Sequence, residues 1–226
     1  MSKVIAFVPV RCGSKSIPLK NIKPFCGKPL VYWTVKALQD SNVDEIYVAT
    51  DCKEIKNTVN GFSFSKVKIY DRDPENAQDT SSTESVMLEF IGKQDFADDD
   101  KFILVQATSP LSETSDFNAA LEKYLSDKAY DSLLTCVRVK KFLWNDDGTS
   151  MNYDYRRRPR RQDFNGVLME NGAFYINTVG NIERYNNRLS GKIAVYEMPE
   201  YKNVDIDEPD DWAAAEKLMN RFILYR

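Results

Sequence analysis

Short apolar runs alternate with stretches of helical periodicity along most of the chain, and this alternation limits the fold more than any other feature. KVIAFVPV (3–10), EIYVAT (45–50), KVKIY (66–70), KFILVQA (101–107) and YDSLLTCVRV (130–139) read as strands. Between them, Leu30, Trp33, Thr34, Ala37 and Leu38 keep the i, i+3, i+4, i+7, i+8 spacing of an amphipathic helix, with Pro29 placed at its start. Thr83, Val86, Met87, Phe90 and Ile91 repeat that spacing, as do Phe117, Ala120, Leu121, Tyr124 and Leu125, with Thr114 or Ser115 as the expected cap. Strand character resumes at GAFYI (172–176). The end, NVDIDEPDDWAAAEKLMNRF, reads as a short strand, a carboxylate cluster and a helix with Pro209 in its first turn. Strands alternating with helices predict a three-layer αβα fold around a mostly parallel sheet.

Such sheets bind ligands beyond the carboxyl ends of their strands. The polar stretches RCGSKS, TDC and QATSP each follow a strand end, so they are expected on one edge. The chemistry available there is restricted, because the 226 residues include no histidine. Ser-His-Asp and Cys-His catalysis and histidine metal sites are excluded, which leaves carboxylates, lysine, arginine, hydroxyls, backbone groups or a bound ion. A net charge of −3 argues against a dedicated nucleic-acid binder. No run of about 18 apolar residues predicts a membrane span. The first residues lack a secretory pattern, and Cys12, Cys26, Cys52 and Cys136 form no CxxC pair. They are expected to be reduced thiols of a cytoplasmic protein, neither staples nor zinc ligands.

The segment after the first strand, VRCGSKSIPLKN (10–21), carries Arg11, Ser14, Lys15 and Lys20 around Gly13 and Pro18. A polar glycine-containing loop after a strand is a common phosphate cradle. GxxxxGK[ST] and GxGxxG are both absent, so neither a P-loop nor a dinucleotide fingerprint is present. The segment instead resembles the AR-x-GSKG-[IL]-P-x-KN signature of the CMP-sugar acid synthetases, the acylneuraminate cytidylyltransferase family. The resemblance continues in order through GKPLVYWTVKAL (27–38), EIYVATD (45–51), QDTSSTESV (78–86), LVQATSPL (104–111), ENGAFYI (170–176) and VDIDEPDDW (204–212). Ser16 departs from the family's glycine, and Ser112 stands where arginine is common.

The resemblance implies a Rossmann-like nucleotidyltransferase fold over residues 1–226 and a transfer of CMP from CTP to a nine-carbon, sialic-acid-type sugar acid, with pyrophosphate leaving. Arg11, Lys15 and Lys20, with Ser14 beside them, suit the phosphate charge that grows in that step. Arg11, Lys20 and Asp207 are the implied catalytic residues. Asn21, Arg72 and Ser82 are expected at the nucleotide, although Ser82 equally suits a helix cap. Gln106 is expected at the sugar acid. Asp205 and Asp207, two apart in an extended segment, point to the same side and suit Mg²⁺ or Mn²⁺, while Asp207 or Glu208 also suits capping of the helix at Pro209. A carboxylate or a metal-bound hydroxide remains as the base for the sugar hydroxyl.

Residues 140–170 interrupt the αβ rhythm and hold RRRPRR, five arginines in six positions. A charged run of this kind is a solvated loop or a nucleic-acid arm in its simplest readings. The resemblance implies a dimerisation arm that carries Arg161 and Gln162 toward a second copy in a homodimer. A nucleotidyltransferase of another sugar acid or nucleotide, or a non-catalytic sugar-nucleotide binder, is the alternative reading.

Overall fold

The computed structural model describes residues 2–14, 16–78 and 80–225. Nine strands are formed among them: β1 Val4–Pro9, β2 Pro24–Phe25, β3 Lys28–Pro29, β4 Glu45–Thr50, β5 Val67–Asp71, β6 Lys101–Val105, β7 Ser132–Val139, β8 Val167–Thr178 and β9 Ile193–Met198. The α-helices are α1 Leu30–Gln39, α2 Lys53–Asn60, α3 Thr83–Gly92, α4 Thr114–Ser126, α5 Val179–Tyr185 and α6 Pro209–Met219. Seven strands make one sheet in the order β5-β4-β1-β6-β8-β7-β9, and β2 and β3 form a separate hairpin. β8 runs antiparallel to both of its neighbours, and every other pairing in the large sheet is parallel.

Alternation along β1 shows how the layers close. Ala6 and Val8 pack with Val31 and Val35 of α1, Ile55 of α2 and Phe117 of α4 on one face. Ile5 and Phe7 pack with Val86, Met87 and Phe90 of α3 and Ile182 of α5 on the other. A buried central strand therefore feeds two cores, as its continuous apolar run requires. A third cluster joins Ile17 and Phe25 to Val204, Ile206, Trp212 and Met219, with the Phe25 and Trp212 rings 5.5 Å apart. It docks α6 onto the segment that follows β1, so an early and a late segment of the sequence meet at one place.

Three features differ from the sequence reading. α2, α5 and β9 are elements that the periodicity did not separate from their surroundings. Residues 203–208 form no strand, yet Val204 and Ile206 are buried while Asp205 and Asp207 are exposed, so the period-2 pattern holds without a ladder. The expected cap of α4 is also displaced: Glu113 caps it in a reciprocal capping box with Asp116.

Residues 140–166 contain one turn of 3₁₀ helix, Tyr155–Arg157, and one isolated bridge, Trp144 to Ser150, among the described residues. Gly166 returns the chain to the sheet at φ +74°, where a Cβ would overlap the Val139 carbonyl.

Candidate active site

β5, β4, β1 and β6 are neighbours running the same way, so Arg72, Asp51, Arg11 and Gln106 follow successive strand ends along one edge. A cleft of about 500 Å³ opens there. Arg11, Ser14, Lys20, Asn21, Arg72, Ser82, Gln106, Asp205 and Asp207, nine of the residues singled out in the sequence, all line it. Lys15 lies outside the described residues. Arg161 and Gln162 are not brought to this cleft. They lie on the insertion, where Arg161 lines a separate hollow with Lys140, Phe142 and Arg158, and its carbonyl accepts a hydrogen bond from Lys140 Nζ.

The third core cluster explains the closest juxtaposition. Leu19 adopts the left-handed conformation (φ 48°), which non-glycine residues rarely adopt, and turns the chain into the short helix Lys20–Ile22. Lys20 then reaches the last segment, donating to the Ile206 carbonyl at 2.6 Å and to Asp207 Oδ1 at 3.0 Å. Ser16 Oγ donates to Glu208 Oε1 at 2.7 Å, and Ile206 N–H donates to the Thr108 carbonyl at 3.0 Å. Glu208, not Asp207, caps α6 and forms a capping box with Asp211. Asp205 and Asp207 are thus spared from capping and face the cleft.

Asn21 is buried and donates Nδ2 to the Arg11 carbonyl at 3.3 Å, so it shapes the loop. The Arg72 guanidinium is pulled below its ordinary pKa chiefly by burial, with Asp51 and Glu89 opposing and Arg11 adding to the effect. Its Nη2 donates to the Asn76 carbonyl, while its buried Nε has no hydrogen-bond partner among the described residues. Ser82 caps α3, accepting from Ser85 N–H at 3.1 Å, and still lines the cleft. Ser112 is buried at a hollow between α1, α4 and α6 and does not line the cleft.

The wall opposite the carboxylates was not legible in the sequence. The pairing of β7 with β8 breaks between Leu134 and Cys136, opposite residues 171–174; Gly172 lies within the break, Tyr175 lies just beyond it in register with Leu134 and Leu104, and both line the cleft. Bulges of this kind often re-aim side chains beside active sites. Arg188, from the α5–β9 connection, donates Nε to Glu84 Oε1 at 2.6 Å and lies 5.0 Å from the Tyr175 ring. Glu84 is pulled below its ordinary pKa chiefly by that hydrogen bond. The Tyr175 hydroxyl donates to Glu170, and burial, followed by that hydrogen bond, pushes its pKa up to about 12. The only sequence signal for Arg188 was a cation in an otherwise unassigned loop.

The expectation of four reduced cysteines is corrected at two of them. Cys12 and Cys52 form a disulfide, with Cα atoms 5.1 Å apart. The parallel register of β1 with β4 pairs each residue with one forty positions later, and it carries these two past the strand ends side by side. Cys26 and Cys136 are free thiols.

A cation-rich edge facing two aspartates is matched by what the chain is similar to. The cytidylyltransferase family matches residues 5–226. The chain belongs to that family. N-acylneuraminate cytidylyltransferase B of Danio rerio is 39% identical over 224 residues, which cover 96% of this chain and 51% of the fish protein. The chain spans about half the length of the curated relatives of this kind that it matches. The CMP-N,N′-diacetyllegionaminic acid synthase of Legionella pneumophila is 29% identical, with 96% of both chains covered. In fold, the chain superposes on a CMP:2-keto-3-deoxy-manno-octonic acid synthetase complexed with CTP, with a TM-score of 0.73 at 20% identity, covering 97% and 99% of the two chains. No helix among the described residues is long and apolar enough to cross a membrane.

Proposed function

We propose that the protein couples CTP to a sialic-acid-type nonulosonic acid, giving the CMP-sugar and pyrophosphate. The observation that carries this reading is the convergence of Arg11, Lys20, Asp205 and Asp207 in the cleft that also holds Gln106. Arg11 and Lys20 bind the triphosphate and stabilise charge as pyrophosphate leaves. Ser82 and the Arg72 guanidinium hold the nucleotide. Gln106, Tyr175 and Arg188 hold the sugar acid on the opposite wall. Pyrophosphate release is expected with CTP alone among the four nucleotides, and only with nine-carbon acids across a panel of sugar acids. Equal turnover with UTP or ATP would reject the cytidine assignment, and silence with every pair would leave a binding protein.

Asp205 and Asp207 fit a magnesium or manganese ion in donor chemistry. They are exposed hard-oxygen ligands on one side of an extended segment, suited to an ion that also takes phosphate and water. When bound, the ion would supply charge neutralisation at the phosphates. Lys20 provides a counter-charge to Asp207. Asp207→Asn is expected to raise the half-saturating Mg²⁺ concentration by about tenfold or more, as loss of metal-site groups commonly does. An unchanged Mg²⁺ titration would remove Asp207 from the site.

Arg188→Ala is expected to raise KM for the sugar acid about 10–100-fold, the range for losing a charged hydrogen-bond donor, while KM for CTP stays put. A matched rise in both constants would move Arg188 to the nucleotide.

The insertion at residues 140–166 is read as the arm of a homodimer that works in the cytoplasm. The Phe142 ring lies 4.3 and 4.9 Å from those of Tyr153 and Phe164, and exposed Trp144, Met151 and Tyr155 extend the apolar patch. Arg161 and Gln162 would then serve a second copy's cleft. Sedimentation should give twice the 26.0 kDa chain mass, and Trp144→Glu should halve it. A fully active monomer would reject the arm.

A further inference from the structure

We propose that Cys12 and Cys52 are a redox modification site that reacts with low-molecular-weight disulfides such as oxidised glutathione and sets the affinity of the adjoining loop for nucleotide. The inference rests on the nucleotide-binding role proposed above. The pairing follows from the sheet: β1 and β4 are buried, parallel and in fixed register, so the two Cα atoms stay 5.1 Å apart, within disulfide range. Val10 N–H donates to the Ala49 carbonyl at 2.9 Å, and Cys12 N–H to Asp51 Oδ1 at 3.2 Å, which continues the contact up to the thiol pair.

Cys12 lies between Arg11, which lines the cleft, and Gly13, and its carbonyl accepts from Ser14 N–H at 3.1 Å. Cys52 is the N-cap residue of α2 and is buried, whereas Cys12 is partly exposed and is the thiol that a small disulfide reaches first. The other two thiols are poorly placed to compete. Burial, then Glu216, pushes Cys26 up to about 11, and burial, then Glu170 and Glu197, raises Cys136.

One thiolate attacks a sulfur of the small disulfide, forming a mixed disulfide and releasing one small thiol. The second cysteine attacks the protein-bound sulfur and releases the other. Two electrons and two protons leave the cysteines and end on the two released thiols. The bridge ties the Arg11–Ser14 loop to the β4–α2 junction while Arg11 and Ser14 line the open cleft. Oxidation therefore preorganises the loop, and reduction frees it.

The test equilibrates the full chain in glutathione buffers from fully reduced to fully oxidised. It reads thiols by alkylation and intact mass after unfolding, and CTP affinity by calorimetry. Oxidised protein should keep two alkylatable thiols, mapped to Cys26 and Cys136, and bind CTP roughly three- to tenfold more tightly, the freedom of one or two side chains. Cys12→Ser and Cys52→Ser should each bind CTP like the reduced protein in every buffer. Four alkylatable thiols in the oxidised buffer would overturn the site, whatever the enzyme does. A bridge that leaves CTP affinity unchanged would overturn the control. Absence of CTP binding in both states would overturn it together with the nucleotide reading, with the mass readout still reporting the bridge. Glu54 Oε2 lies 3.3 Å from Cys52 Sγ, and the three side chains could instead hold a metal. One equivalent of zinc bound to a pair that resists oxidation would also overturn the proposal.

Discussion

Lys20→Ala is expected to lower kcat by about 10²–10³, the cost of removing one preorganised donor from developing charge. Lys20 is held for that task. Its side chain is only 11% exposed, and its ammonium is fixed by the Ile206 carbonyl and Asp207. A lysine fixed in this way needs little reorganisation when the leaving group gains charge. The same contacts give the competing explanation, since Lys20 also ties the first loop to the last segment. Rapid-quench turnover, KM for CTP and melting temperature separate the two. A transition-state role predicts a large fall in kcat with a small change in melting temperature. A strut predicts a lower melting temperature with kcat within about threefold of the parent.

The sequence revealed the edge more fully than the walls. Strand ends are legible because a parallel strand buried on both faces is a continuous apolar run, and the residues just beyond it must be polar. That logic brought Arg11, Asp51 and Gln106 to one edge. Asp205 and Asp207 were legible by alternation, even though no strand forms there. Arg188 was hidden because its placement depends on a loop conformation, which leaves no period, and Tyr175 because GAFYI shows a strand without showing that it lies between β6 and β7. The Cys12–Cys52 pair had a signal that went unused. Once β1 and β4 are adjacent parallel strands, equal offsets along them bring equal positions together. α2 and α5 span only 8 and 7 residues, too short for the spacing to stand out.

Lys202 has the largest predicted effect on stability. Its ammonium is buried and paired with Asp116 at 2.5 Å and Glu113 at 2.7 Å, at the capped start of α4. Asp116 is itself buried, so Lys202→Met leaves a carboxylate without its counter-charge. That is expected to cost about 3–5 kcal/mol, against almost nothing for an exposed pair such as Arg160–Asp163. In a chain of this size the melting temperature should fall on the order of 10 °C. Burial depresses the lysine pKa, but the hydrogen bonds to Asp116 and Glu113 outweigh it, and the net shift is upward. A pKa raised on folding adds stability below the unfolded lysine's value of about 10.4 and loses it as pH climbs through the folded value. The parent should therefore lose its advantage over Lys202→Met as pH climbs through that alkaline range. The pair also bears on the site. The Lys202 carbonyl accepts from buried Asn171, and the chain runs from Lys202 directly to Asp205 and Asp207. Lys202→Met should raise the Mg²⁺ requirement as well as lower stability, whereas Asp116→Asn with Lys202→Met should recover part of the melting temperature by removing the orphaned charge. If the double variant melts no higher than the single, the loss comes from packing around residue 202 and not from the uncompensated carboxylate.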